Sequence, residues 1–343
     1  SRRPEFEPRE SIKLFDFWRM YYVAFTRAQN LLVLTCNETA NTPGKYLESA
    51  YNRLEDADDI FSPSELELDA QKDSGLRSTY SFTSHILTYE TCPMQYKFFR
   101  ELEFPMGLSQ STFLGKLVHT TIEDIHRAAL NHEEHRITEA NISEWFSANY
   151  EKLSRTDLGY LSEASRKTAF SQVMHYVHLQ GNDWSGIAMA EAEVNLVRDK
   201  YILEGKIDLV RIRDGETEII DFKSGTKPNM NISSDRERLE ECRRQVNVYA
   251  YLAVHALGLK VAGMKLYYTG EEGGSPEIVY PYDEMAAEGV VKGFDEVVDR
   301  IQDADFEHRT ANMETCGECV LRYWCRLENP AIPLNLPDDS AAE

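Results

Sequence analysis

Apolar positions along the 343-residue chain change period several times, and the changes mark its elements. Leu14, Phe17, Trp18, Tyr21, Tyr22 and Phe25 recur at helical spacing up to about Ala28. Leu31 to Cys36 (LLVLTC) is a short apolar run typical of a buried strand. Residues 37–79 lose periodicity, and Pro43, Gly44, Pro63 and Gly75 mark a linker or a loosely packed wrap. Beyond it the pattern predicts helices over 83–101, 111–130, 138–153 and 161–181, and strands over 187–197, 200–212 and 217–223. A helix over 235–257, a strand over 261–268 and a helix over 283–302 follow. The alternation is α+β, with no internal repeat.

Two of these helices carry polar residues at informative places. On 111–130 the apolar stripe is Leu114, Val118, Ile122, Ile125 and Ala129. At about 100° per residue His119 falls on its flank, one turn after Gly115. His126, on the same flank, reads as a structural histidine. On 235–257 the stripe is Leu239, Cys242, Val246, Ala250, Ala253 and Leu257, and Gln245 and Tyr249 lie four apart on its edge.

Composition narrows the class. The chain has 37 Lys and Arg against 58 Asp and Glu, a formal charge of −21. Nonspecific DNA affinity comes from basic side chains displacing condensed counterions, so a general nucleic-acid coat protein is excluded. Any polyanion must meet a local site, and residues 235–265 run against the balance with six basic and four acidic side chains. The linker over 37–79 is acidic, ten against four, and the tail over 327–343 adds four acids without a base. A hydrophobic fraction of 42% is ordinary for a globular protein, and the length suggests about two domains. No run of about 18 apolar residues and no signal-peptide core is present, which predicts a cytoplasmic protein without a membrane span. Six cysteines are too few for a disulfide scaffold, but Cys316, Cys319 and Cys325 have metal-ligand spacing. They supply three thiolates, so the fourth has to come from afar; Cys36 and Cys242 read as core residues.

The strands over 200–212 and 217–223 flank Arg213-Asp214-Gly215-Glu216, and Asp-Gly between two such runs signals a hairpin with a type I′ turn. With Asp214 and Gly215 as the loop, Arg213 faces Glu216, and counting back in step brings Asp208 opposite Asp221. Facing Cβ atoms in such a pair are about 4.5–5.5 Å apart, and like charges there repel. A cation between them would relieve that. Alternation puts Lys223 on the Asp221 face and Ile220 and Phe222 on the other. Two carboxylates and a lysine suit a hard divalent ion and a water attacking phosphorus. A surface strand whose acids are solvated, or paired with Lys206 and Lys223, fits the same pattern equally well. One of Glu191 and Glu193, on the preceding strand, could join the site, but a solvated face is the expected place for both.

Gly205-x-x-Asp208, then Asp221-Phe222-Lys223, then Gln245-x-x-x-Tyr249 resembles the PD-(D/E)xK nuclease core in its RecB-family form. Gly115-x-x-x-His119 resembles the upstream GxxxH of that family. The resemblance implies a restriction-endonuclease-like core, a mixed central sheet flanked by helices. It further implies that His119, Asp208, Asp221 and the Phe222 carbonyl hold Mg²⁺ or Mn²⁺, that Lys223 positions the nucleophile, and that Gln245 and Tyr249 hold the DNA strand. Cys92, in Phe82-Thr83-Ser84 to Cys92-Pro93, resembles the first ligand of the iron-sulfur staple of AddB-like and CRISPR-associated relatives. There one cysteine precedes the core and three follow it, which implies a 4Fe-4S cluster on Cys92, Cys316, Cys319 and Cys325; chemistry alone also allows zinc.

Tyr21 to Ala28 (YYVAFTRA) resembles the last motif of UvrD- and RecB-type superfamily 1 helicases, by which Arg27 would reach an ATP γ-phosphate. No phosphate-cradling GxxxxGK[ST] loop is present, so the chain alone is not expected to hydrolyse ATP. The organisation expected is a helicase end over 1–36, the acidic linker over 37–79, a nuclease domain over 80–326 and the acidic tail over 327–343. The function expected is a metal-dependent deoxyribonuclease, an exonuclease on single-stranded DNA ends, forming the C-terminal module of a helicase-nuclease in recombination or repair. Single-stranded or duplex DNA ends and a helicase domain or partner helicase-nuclease subunit are the expected partners. The alternative is a non-catalytic DNA-binding or subunit-docking module of such a complex.

Overall fold

The computed structural model describes residues 11–27, 32, 52–53, 77–104, 109–156, 159–181, 183–307, 310 and 313–328. Backbone contacts divide the chain into two units, Ser1–Leu76 and Arg77–Glu343. In the first, helix α1 (Ile12–Arg27) stacks Phe17, Tyr21 and Phe25 along one side, with ring centroids 4.5 and 5.6 Å apart. That is the i, i+4 neighbour spacing of a helix face. The strand expected over 31–36, nearly all of the linker over 37–79, the tail from 329 and the Arg27 side chain lie outside the described residues.

The second unit is a mixed six-stranded sheet with helices on both faces, in the order β1-β3-β4-β5-β6 with β2 also on β3. Its strands are β1 (Thr79–Ser81), β2 (Ile187–Val197), β3 (Ile202–Arg213), β4 (Glu216–Lys223), β5 (Val261–Tyr268) and β6 (Glu277–Pro281). Helices α2 (Gln110–Leu130), α3 (Glu139–Thr156) and α4 (Glu163–Gln180) cover one face. Helices α5 (Ser233–His255) and α6 (Glu284–Gln302) cover the other. Alternation along the strands feeds both cores: Ile219 joins Val246, Ala250 and Phe294, while Ile220 and Phe222 join Val118, Ile122 and Val173. Burying each such aliphatic side chain stabilises the fold by roughly 1.5–3 kcal/mol. Among the described residues no helix is long and apolar enough to cross a membrane.

Most predicted elements appear within a few residues of their expected limits. Three expectations change. The helix expected over 83–101 is a series of helical turns broken at Cys92, which is extended at φ −165° and ψ 116°. Pro93 causes the break, since its ring crowds an α conformation in the residue before it. Leu257 is 36% exposed, past the end of α5 at His255, and not part of the buried stripe. Strands β1 and β6 and the short helices α7 (Met313–Glu318) and α8 (Arg322–Glu328) were not expected. At three to seven residues each, they are too short to show a period.

The ends of this unit meet. The Tyr89 hydroxyl donates to the Asp305 carbonyl at 2.6 Å, and Tyr96 stacks on Phe306 with centroids 5.9 Å apart.

Candidate active site

The β3–β4 hairpin turns as its sequence requires. Asp214 and Gly215 take φ of +52° and +81°, the left-handed pair of a type I′ turn, and the ladder runs from Arg213–Glu216 to Leu209–Ile220. It stops there, one step before Asp208 and Asp221. Beyond that point β4 continues on β5, while the same edge of β3 is taken up again only at Ile202–Glu204, by β1. The strands therefore fork around the two aspartates. On the other edge of β3 the ladder with β2 pairs Ala190 with Leu209 and Ala192 with Ile207, skipping Glu191 and Asp208 between them. Glu191 sits there at φ +50°, a strained region for a side-chain-bearing residue, of the kind that persists where function retains it.

Four acidic or imidazole side chains meet at the fork. His119, Glu191 and Asp208 bring ligand atoms within 4.8 Å of one another. The Asp208 Oδ2 lies 3.5 Å from His119 Nδ1 and accepts the Phe222 N–H at 2.7 Å. Glu191 is also 2.6 Å from the Lys206 ammonium. Asp221 is 2% exposed, and its Oδ2 sits 2.7 Å from Lys223 Nζ without receiving a directed hydrogen bond. A buried carboxylate oxygen with a vacant lone pair, beside three ligand groups, is the donor set a hard divalent cation takes. The residues present fit such an ion.

Burial pushes the Asp208 carboxyl well above its usual range, and the Asp221 and Glu191 charges push the same way. His119 is lowered by burial, with the Asp221 charge and a backbone hydrogen bond to Phe222 opposing. Burial also works against the Lys223 charge, yet Asp221 outweighs it and holds the ammonium above the ordinary lysine range. The site thus crowds carboxylates whose mutual repulsion a cation would relieve, and the Asp221 charge favours the protonated Lys223.

Two glycines permit the close packing. A methyl at Gly115 would lie 2.9 Å from the Ser224 hydroxyl oxygen, so glycine lets α2 pack against the end of β4 without turning that hydroxyl away. A methyl at Gly205 would collide with Leu252 and Tyr249 of α5. Gln245 and Tyr249 are 8% and 7% exposed and face inward. Lys223 Nζ donates to Gln245 Oε1, and Gln245 Nε2 donates to the Tyr249 hydroxyl, each at 2.8 Å. The sequence reading gave this pair to the DNA strand; the structure engages both in holding Lys223. His126 is buried and 2.6 Å from the Tyr176 hydroxyl, the structural place expected for it. Glu191 is the residue that sequence reasoning left on a solvated face. Its signal was available: it precedes the hairpin on a strand that must pair with β3, and the pairing carries it to Asp208.

At the other end of the unit Cys92, Cys316, Cys319 and Cys325 line one small cavity together with Met94, Leu321 and Arg322. The Cys319 sulfur accepts the Leu321 N–H at 3.4 Å.

A forked mixed sheet with an acid cluster and a lysine on its central hairpin defines a nuclease, and the chain belongs to the PD-(D/E)XK nuclease superfamily, whose profile matches residues 82–326. Nucleases of this superfamily cut nucleic acid with divalent metals, and DNA is the substrate it implies here. Among curated proteins, the Gene 69 protein of Mycobacterium phage L5 is similar at 28% identity over 138 residues, which is 39% of this chain and 43% of the phage protein. The match thus spans less than half of that relative. Among solved structures, a Eubacterium rectale protein named as a candidate exonuclease is similar with a TM-score of 0.48 and 12% identity, covering 80% of this chain and 99% of its own.

Proposed function

We propose that this chain is a divalent-metal-dependent deoxyribonuclease of the RecB/AddB-like branch, an exonuclease acting on single-stranded DNA ends, stapled by a metal–thiolate centre. The observation that carries the reading is the buried, uncompensated carboxylate cluster beside a protonated lysine. His119, Glu191, Asp208, Asp221 and the Phe222 carbonyl would hold Mg²⁺ or Mn²⁺. Such an ion, when bound, supplies polarisation of the scissile phosphate and a more acidic attacking water. Asp208, fixed by the Phe222 N–H, and His119, fixed on α2, keep the ligand atoms together before the ion arrives. Lys223 aims its ammonium at the same space and stabilises charge developing on phosphate oxygens. Gln245 restrains Lys223, and Tyr249 restrains Gln245; through Lys223 the pair would act on the DNA strand.

For the second centre, Cys92, Cys316, Cys319 and Cys325 are the ligands. A single tetrahedral zinc with bonds of about 2.3 Å draws four sulfurs to roughly 3.8 Å from one another. Among the described residues no three of these sulfurs approach mutually within 4.8 Å, although all four residues border one cavity. The resemblance to the stapled relatives is what supports a 4Fe-4S cluster here, with zinc as the alternative. The remaining assignments belong to the same proposal. Residues 1–36 are the end of a superfamily 1 helicase, with Arg27 its nucleotide-sensing arginine, joined by the linker over 37–79 to the nuclease over 80–326 and its acidic tail over 327–343. A helicase domain or a partner helicase-nuclease subunit, in recombination or repair, delivers the strand.

Labelled single- and double-stranded DNA, incubated with the purified chain at varied Mg²⁺ and Mn²⁺, tests the reading. Asp221→Ala and Lys223→Ala are each expected to lower cleavage at least about 10³-fold with an unchanged far-ultraviolet circular dichroism spectrum. Undiminished cleavage by both variants overturns the site. A gel shift without shortening of the DNA by the unaltered chain would instead identify a non-catalytic binding module.

A further inference from the structure

Arg322 opens α8, is only 8% exposed and lines the same cavity as the four cysteines. One of its terminal nitrogens donates to the Cys319 carbonyl at 3.2 Å, and the guanidinium carbon lies 4.8 Å from the Tyr323 ring centroid. Its Nε is buried and donates to nothing. Among the described residues no carboxylate pairs with it, although acids outnumber bases 58 to 37 in the chain. An arginine cannot shed its proton to escape burial, and an unpaired buried charge costs several kcal/mol. The cavity is therefore a place prepared for an anion.

Four thiolates carry more negative charge than a 4Fe-4S core or a zinc ion carries positive, so either centre is an anion as a whole. Neutral thiols would leave the guanidinium uncompensated. We infer that Arg322 is the counter-ion of the metal–thiolate centre, setting its reduction potential and resisting metal loss; the inference rests on the four-cysteine reading above. Electrostatics fixes the direction. Reduction adds negative charge to the centre, which a nearby fixed cation favours, so Arg322 raises the potential. Its fixed positive charge in the same cavity also attracts the net negative centre as a whole and so opposes loss of the metal.

The test uses the full chain purified without oxygen, as wild type, Arg322→Gln and Arg322→Lys, with iron, sulfide and zinc measured in each. Arg322→Gln is expected to move the midpoint potential, read by dye-mediated titration, to more negative values by at least 59 mV, a tenfold change for one electron. Iron release to a chelator should also be several-fold faster. Arg322→Lys should recover most of both effects. A purely structural role would lower the melting temperature and leave the potential in place. Wild-type potential and release rate in Arg322→Gln overturn the inference while leaving the cluster standing. Zinc in place of iron removes the cluster, and the inference is then read as several-fold faster zinc transfer from Arg322→Gln. A wild type holding neither metal removes both. Arg322→Met, which keeps the stem and drops the charge, replaces Arg322→Gln if that variant does not fold.

Discussion

The fork of the hairpin and the cysteine cavity are both incomplete, but with opposite sign. At the fork Glu191 and Asp208 converge with His119, and the buried Asp221 Oδ2 beside them has only the Lys223 ammonium, 2.7 Å away, against its charge. At the cavity the buried Arg322 guanidinium has no carboxylate partner among the described residues, and its Nε donates to nothing. One place awaits a cation and the other an anion. Burial makes an uncompensated charge expensive, so the sign of the excess reveals the missing partner more directly than an inventory of ligand residues does. Cysteine spacing leaves zinc, iron-sulfur and idle thiols all open. An arginine in the same cavity without a carboxylate partner among the described residues is what supports the proposed metal–thiolate reading over the last of these.

Three expected outcomes would break or sharpen the contrast. The largest concerns the cavity. On the proposed reading Cys92→Ser removes one of four thiolates and with it a metal whose binding free energy would be folding free energy. A fall in Tm of about 10 °C is expected, from a loss of about 3 kcal/mol or more in a unit of this size. Retained metal and an unchanged melting curve would remove Cys92 from the centre. Next comes the fork, where Glu191→Gln keeps the shape and drops one charge. Cleavage at limiting Mg²⁺ should fall roughly tenfold to a hundredfold and recover at higher metal concentration. Equal rates at every Mg²⁺ concentration would return Glu191 to a role in pairing Lys206 alone.

The smallest effect separates buried neutral groups from both charged sites. Burial, with the Arg211 charge second, lowers His126 to about 3, and burial, with Arg100 second, lowers His85 to about 4. Both folded values lie below the unfolded value of about 6.5, so the unfolded chain binds protons that the folded one refuses. The stability they leave in place is complete above about pH 6.5. It is lost as pH falls toward those folded values, by up to about 1.4 kcal/mol per unit for each histidine. Thermal unfolding at pH 7.5 and 5.5 reads the slope, which His126→Gln should flatten. An unaltered slope in that variant would mean that His126 does not stay neutral.

The hairpin was legible in the sequence because its turn is encoded by two residues and its register follows from arithmetic. Asp208, Asp221 and Lys223 were found that way, and the observed ladder has the expected register up to the residue pair before the aspartates. His119 was placed by helical periodicity with Gly115. Glu191 was not recognised, because a glutamate on a strand is usually solvated and its burial depends on an irregular pairing between β2 and β3. Gln245 was read as facing DNA because a helix edge gives no direction; the lysine that engages it lies 22 residues earlier. The break at Cys92 was written in Pro93, but the apolar period across 83–101 masked it. Arg322 gave no signal at all, since burial of a charged residue on a seven-residue helix is decided by contacts far away in the chain.

The clasp between Tyr89, Tyr96, Asp305 and Phe306 has a consequence for how the unit is made. The hydrogen bond from Tyr89 to Asp305 closes a loop of 216 residues. The entropy of such a closure grows only slowly with loop length, but contacts this distant in sequence form late and slow the search for the native state. During synthesis the turns that carry Cys92 must wait for residues 305 and 306 to leave the ribosome before they gain their native neighbours, at translation rates of about 5–20 residues per second. For some ten seconds or more the nascent unit therefore holds Cys92 apart from Cys316, Cys319 and Cys325, and assembly of the proposed centre would be among the last events of its biogenesis.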